Sequence, residues 1–176
     1  MAPDHINNIE RQLIDNLRAG TYNTNAGIGS GSAWTSSDVT VFGQFPSTDQ
    51  VTYPCIITEI MSNGISEQFM GQKLTYGGAP KVGELYGIAV RIHLAVDRAS
   101  SITVSGAPYK ERRLLNYLML NCANVLNDCD FIGSESSTDT EVVQRTFSGF
   151  QDIGYNPDLE IWAAMATMVI VFKNDR

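Results

Sequence analysis

From residue 86 to 97 the chain reads Tyr-Gly-Ile-Ala-Val-Arg-Ile-His-Leu-Ala-Val-Asp, with Tyr86, Ile88, Val90, Ile92, Leu94 and Val96 on every second position. Alternate positions of a strand point to opposite faces, so this spacing predicts a long strand with one dry face. Its other face carries Gly87, Ala89, Arg91, His93, Ala95 and Asp97, small or charged throughout.

Two segments change the period from two to three or four. Ile6, Ile9, Leu13 and Leu17 form one stripe, Asp4 stands at its start and Gly20 at its end. This predicts an amphipathic helix of about four turns with a side-chain cap and a glycine stop. In the stretch from Tyr109 to Asn127, Leu115, Leu118, Cys122 and Val125 form a stripe that Leu114, Tyr117, Met119 and Leu126 widen. A helix this apolar is covered by the sheet on one side and by another surface on the other.

The remaining segments are β-like. Val39–Phe45 and Tyr53–Met61 flank the turn residues 46–49, and Pro54 suits a strand start. A strand or hairpin arm is expected over 65–76, either a continuation of the long strand or a short extra strand at Ser101–Ser105, and a further strand at Glu141–Phe150. Gly106-Ala-Pro108 reads as the break before the second helix, Ser134–Thr140 as a polar loop and Asp152–Asp158 as a turn. Glu160–Phe172 mixes helix-favouring Ala and Met with strand-favouring Val169-Ile-Val-Phe172. Both of its alternating sets are apolar, which fits a central strand covered on both faces. The pattern is that of an α+β protein, an antiparallel or mixed sheet with two main helices packed on it.

A chain of 176 residues fits a single domain, 1–176, long enough to bury a core unaided. Residues 20–37, rich in Gly, Ser, Thr and Asn, read as a flexible loop. Trp34 is out of place in a free linker: it either folds back on its own domain or docks on a neighbouring chain. The net charge of −7 disfavours nucleic acid as the main ligand, since phosphate binding needs a clustered cationic face. Cys55, Cys122 and Cys129 make neither a disulfide framework nor a zinc pattern. No leader segment is expected at the N-terminus, and Ile161–Phe172, the most apolar run, is too short to span a bilayer.

Catalytic signatures are missing. The sequence contains no Gly-x-Ser-x-Gly, no phosphate loop and no dinucleotide fingerprint. Arg91, His93 and Asp97 share a strand face, and His with charged neighbours is the raw material of acid–base chemistry. From 91 to 97, however, a strand runs about 20 Å, so only Arg91 and His93 are neighbours. Asp128, Asp130 and Glu135 lack a calcium-loop pattern and read as a solvated helix exit. Neither an enzyme nor a cofactor or metal site is expected. Lys110, Arg112 and Arg113 stand in the first turns of the second helix, where positive charge opposes the macrodipole by about 0.3–1 kcal/mol each, so they are either solvated or set for an anionic partner.

Three segments carry a family resemblance. They are Phe45-Pro46 through Tyr53-Pro-Cys-Ile-Ile-Thr-Glu59, Gly106-Ala-Pro-Tyr-Lys-Glu-Arg-Arg-Leu-Leu-Asn-Tyr-Leu118, and Phe147-Ser-Gly-Phe-Gln-Asp-Ile-Gly-Tyr155 with Leu159-Glu-Ile-Trp162. In this order the chain resembles the tail terminator, or tail completion, proteins of contractile-tailed bacteriophages. The match is one of overall pattern past residue 40, without a signature motif, and the 20–37 loop has no counterpart in it.

The resemblance implies a structural virion protein assembled in the host cytoplasm. Six copies would form a ring that caps the tail tube and meets the head-side connector or stopper, with tube and sheath proteins as further partners. DNA would pass through without specific binding, and no membrane is involved. On this reading Trp34, Arg91, His93, Asp97, Lys110, Arg112 and Arg113 are candidates for subunit contacts or a channel wall. Another neck or tube subunit is the alternative, and a small-ligand binder or an enzyme using the Arg91/His93 face a more distant one.

Overall fold

The computed structural model describes residues 5–23, 30–35, 37–47, 49–68, 74–76, 79–81, 83–128 and 140–175. The chain order is α1 (His5–Ala19), β1 (Thr21–Asn23), β2 (Ser30–Ser32), β3 (Thr40–Phe42), β4 (Cys55–Gln68), β5 (Leu74–Tyr76), β6 (Ala79–Lys81), β7 (Gly83–Asp97), β8 (Ser101–Val104), β9 (Ala107–Lys110), α2 (Glu111–Asp128), β10 (Thr140–Phe147), β11 (Gln151–Asn156) and β12 (Ile161–Asp175). The main sheet runs β10-β12-β7-β4-β3, with β11 also paired to β12. Its pairings are antiparallel except that of β3 with β4. The α+β class read from the sequence is the class observed.

Both helices lie on one face of the sheet. The two-residue alternation of the long strand produces this arrangement: Ile88, Val90, Ile92, Leu94 and Val96 are all buried on that face. Their β12 partners Ile170, Met168, Ala166 and Ala164 are buried beside them. Leu114, Leu115, Leu118, Cys122, Val125 and Leu126 of α2 and Ile9, Leu13 and Leu17 of α1 close the core from above. At about 25 cal/mol per Å² of apolar surface, burying each of these large side chains contributes about 1.5–3 kcal/mol. The residues 160–172 form a strand as expected, but helices cover only one of its faces.

Several expectations are corrected. The 20–37 segment is not loop throughout, since β1 and β2 pair within it, Asn23 opposite Ser30. Residues 107–110 do not belong to the helix. They pair back on β8 through a two-residue turn at Ser105 and Gly106, both with positive φ, the geometry that matches strand twist in a tight hairpin. Most of the 152–158 turn is strand: Tyr155 pairs with Trp162, and the reversal falls at 157–160. The first part of the 65–76 arm continues β4, in register with β7 as far as Gln68 opposite Glu84. The polar loop 134–140 lies outside the described residues, save Thr140 at the start of β10.

Candidate functional site

Among the described residues, the second face of the sheet carries no helix. Cross-strand register builds it in rows: Cys55, Ala95 and Ala163; Ile57, His93 and Met165; Glu59, Arg91 and Thr167; Ala89 with Val169; Gly87 with Val171. An antiparallel sheet with one wet face ordinarily shows polar side chains there. Here most positions of the central strands β7 and β12 are small or apolar, while Gln144 and Thr146 of the edge strand β10, opposite Val171 and Val169, are exposed and polar. Met61, extruded by a bulge in β4, and Val169 are exposed outright.

Charge in these rows is confined to one cluster. Glu59 Oε2 lies 3.6 Å from Arg91 Nη1 and 3.5 Å from His93 Nε2. Those separations are ion-pair contacts longer than an ordinary hydrogen bond. Arg91 Nε and His93 Nε2 are enclosed without a hydrogen-bond partner. The Phe45 ring meets His93 edge to face at 4.9 Å. Burial, aided by Arg91, pushes His93 below the usual imidazole range of 6.5 and outweighs the opposing pull of Glu59. His93 stands beside a guanidinium that itself faces the Glu59 carboxylate. The cluster is an ion-pair network of three side chains on the open face.

Asp97 is not part of this cluster. Its Oδ1 accepts hydrogen bonds from Ser100 N at 2.8 Å and from the Ser100 hydroxyl, capping the turn into β8. Trp34 is not on a surface either. It is 3% exposed, its Nε1 donates to the Leu17 carbonyl at 2.9 Å, and its ring lies against Gly20. A Cβ at Gly20, whose φ is +59°, would stand 2.7 Å from that ring. Trp34 therefore closes the end of α1 within its own chain, because the exposed last carbonyls of a helix need donors and the indole N–H supplies one.

The basic residues around the start of α2 separate. Arg112 bonds Asp152 Oδ2 at 2.9 Å, tying α2 to β11. The Arg113 guanidinium stacks on the Tyr109 ring at 4.0 Å. Lys110 is exposed at the end of β9. Cys55 and Cys122 are buried free thiols, Cys55 pushed up to about 12 and Cys122 higher still by burial. Among the described residues no group of three or more His, Cys, Asp or Glu could hold a metal; Asp130, Glu135 and Cys129 lie outside them. No helix among the described residues is long and apolar enough to cross a membrane.

The sequence reading missed a cleft of about 280 Å³ at one end of the open face. Cys55, Ala95 and Ala163 are a row of small side chains and make its floor. Phe45 and Tyr53 wall it on one side and Ile153, extruded by a bulge in β11, on the other. The signal was present as three small residues in three separate strands, but only register places them side by side. The first and third segments that carry the family resemblance meet here, and Arg112–Asp152 joins the second to the third.

No protein-family model matches the chain, and no curated protein sequence matches it.

Proposed function

We propose that this chain is the subunit of a homo-oligomeric ring, a tail terminator that caps the tube of a contractile-tailed bacteriophage and presents a surface to the head-side connector. The observation that carries this reading is the open sheet face, mostly small and apolar along its central strands, with one charged cluster at its centre. A face of that composition is stable against protein rather than against water. The three segments of the family resemblance add their weight, since they converge on one end of the same sheet. Within this reading Arg91, His93 and Glu59 give the covered face its register, because a misplaced neighbour would leave them desolvated without partners. The acidic balance of the chain limits adhesion of passing DNA.

The test mixes purified protein with tail tubes and images them by electron microscopy. A single ring is expected at tube ends, with no growth of tubes by the protein alone. Long tubes formed from the pure protein would instead assign it to the tube, and a chain that never binds tube ends would refute the reading. Sheath and tube genes adjacent in the source genome are the further expectation.

A further inference from the structure

The geometry points to a small-molecule site at the end of the open face: the cleft over Cys55, Ala95 and Ala163 binds a neutral, flat aromatic molecule of about two fused rings. The site is independent of the ring reading.

Size and shape come from the register. Cys55, Ala95 and Ala163 stand opposite one another on three adjacent strands, and a larger side chain at any of them would fill the floor. Phe45 and Tyr53 face Ile153 across it. Phe45 and Ile153 are both more than half exposed, so an occupant takes apolar surface of both walls out of water. A flat ring between facing walls gains dispersion contact on both of its faces. The cleft holds about 280 Å³. An apolar cavity of about 150 Å³ holds one benzene ring, so the volume here suits about two.

Charge narrows the class further. No Asp, Glu, Lys or Arg is among the described residues that line the cleft. Its three titratable side chains are Tyr53, Cys55 and His93, and burial moves each of them toward its neutral form. The Tyr53 hydroxyl and the Cys55 thiol are pushed up, Cys55 to about 12, and the His93 imidazole is pushed down. An ion entering the cleft would shed its water without meeting an opposite charge in the lining, whereas a neutral molecule loses little. An apolar wall with a few polar groups is the usual make-up of a small-molecule site, and these three side chains are the polar groups here.

Equilibrium dialysis of the native protein against indole, read by ultraviolet absorption, tests the site. Indole is neutral, flat and bicyclic, and naphthalene-2-sulfonate is a charged counterpart of similar size. Saturable binding of one indole per chain is expected, with the sulfonate weaker by at least about tenfold. Ala163→Leu fills the floor, and Ile153→Asp puts a carboxylate on a wall that is 60% exposed. Each is expected to weaken indole binding by at least about tenfold while its circular dichroism stays that of the wild type. Ile153→Asp serves if Ala163→Leu does not fold. No saturable binding of indole overturns the site, as does undiminished binding by the folded variants or equal affinity for the sulfonate. Binding that appears only once the chains are dissociated gives the cleft to a neighbouring copy and overturns the site as well.

Discussion

Replacing Trp34 by alanine is expected to destabilise the fold rather than an assembly. The side chain is 3% exposed, and its indole N–H donates to the Leu17 carbonyl at 2.9 Å. Truncating a buried aromatic of this size costs about 3–5 kcal/mol from lost transfer energy and the cavity left behind. The Leu17 carbonyl, at the end of α1, would lose its donor as well, a group that costs about 1–3 kcal/mol if it stays buried and unpaired. For a chain of this length each kcal/mol lowers the melting temperature by about 2–4 °C, so a fall of about 6–20 °C is expected from the cavity alone. The measurement is thermal unfolding followed by circular dichroism at low protein concentration, where assembly contributes least. Trp34→Phe, which keeps much of the ring volume but removes the N–H, falls between wild type and alanine. An unchanged melting temperature together with lost oligomerisation would refute the reasoning and return Trp34 to a subunit contact.

Other outcomes follow from the same structure. Gly20→Ala is expected to lose more than about 1 kcal/mol in urea unfolding, because φ is +59° and the new Cβ would stand 2.7 Å from the Trp34 ring. His93 is held below its unfolded value of 6.5. Its contribution is therefore complete above pH 6.5 and is lost as pH falls through the lower folded value, so the folded chain weakens on acidification and His93→Gln flattens that slope. An NMR titration placing His93 above 6.5 contradicts this. In a Cys129→Ser background the native protein is expected to leave a thiol reagent unreacted, and the denatured protein to react at two thiols, since Cys55 is pushed up to about 12 and Cys122 is fully buried.

Much of the frame was legible before the structure. The period-two run at 86–97 and the three- and four-residue spacings of α1 and α2 depend on local side-chain direction, which sequence reports directly. The 160–172 strand was readable because both alternating sets were apolar, although the reason differs: helices bury one set, and the other lies on the open face. Trp34 could be placed only by its contacts, since a Gly- and Ser-rich neighbourhood hides the β1–β2 hairpin that returns it to Gly20. The residues 152–158 misled because Gly154 and Pro157 signal a turn locally, while pairing with β12 overrides that signal. The Arg91/His93 pair emerged from spacing, but Glu59 did not, because it sits 32 residues earlier and only the β4–β7 register brings it across. The cleft was hidden for the same reason.

The mass of the protein in solution tests the central claim most directly. The account predicts a closed assembly by native mass spectrometry, at six times the 19.3 kDa chain mass for the ring that the resemblance implies, with no larger polymer as concentration rises. A monomer at every concentration would contradict it.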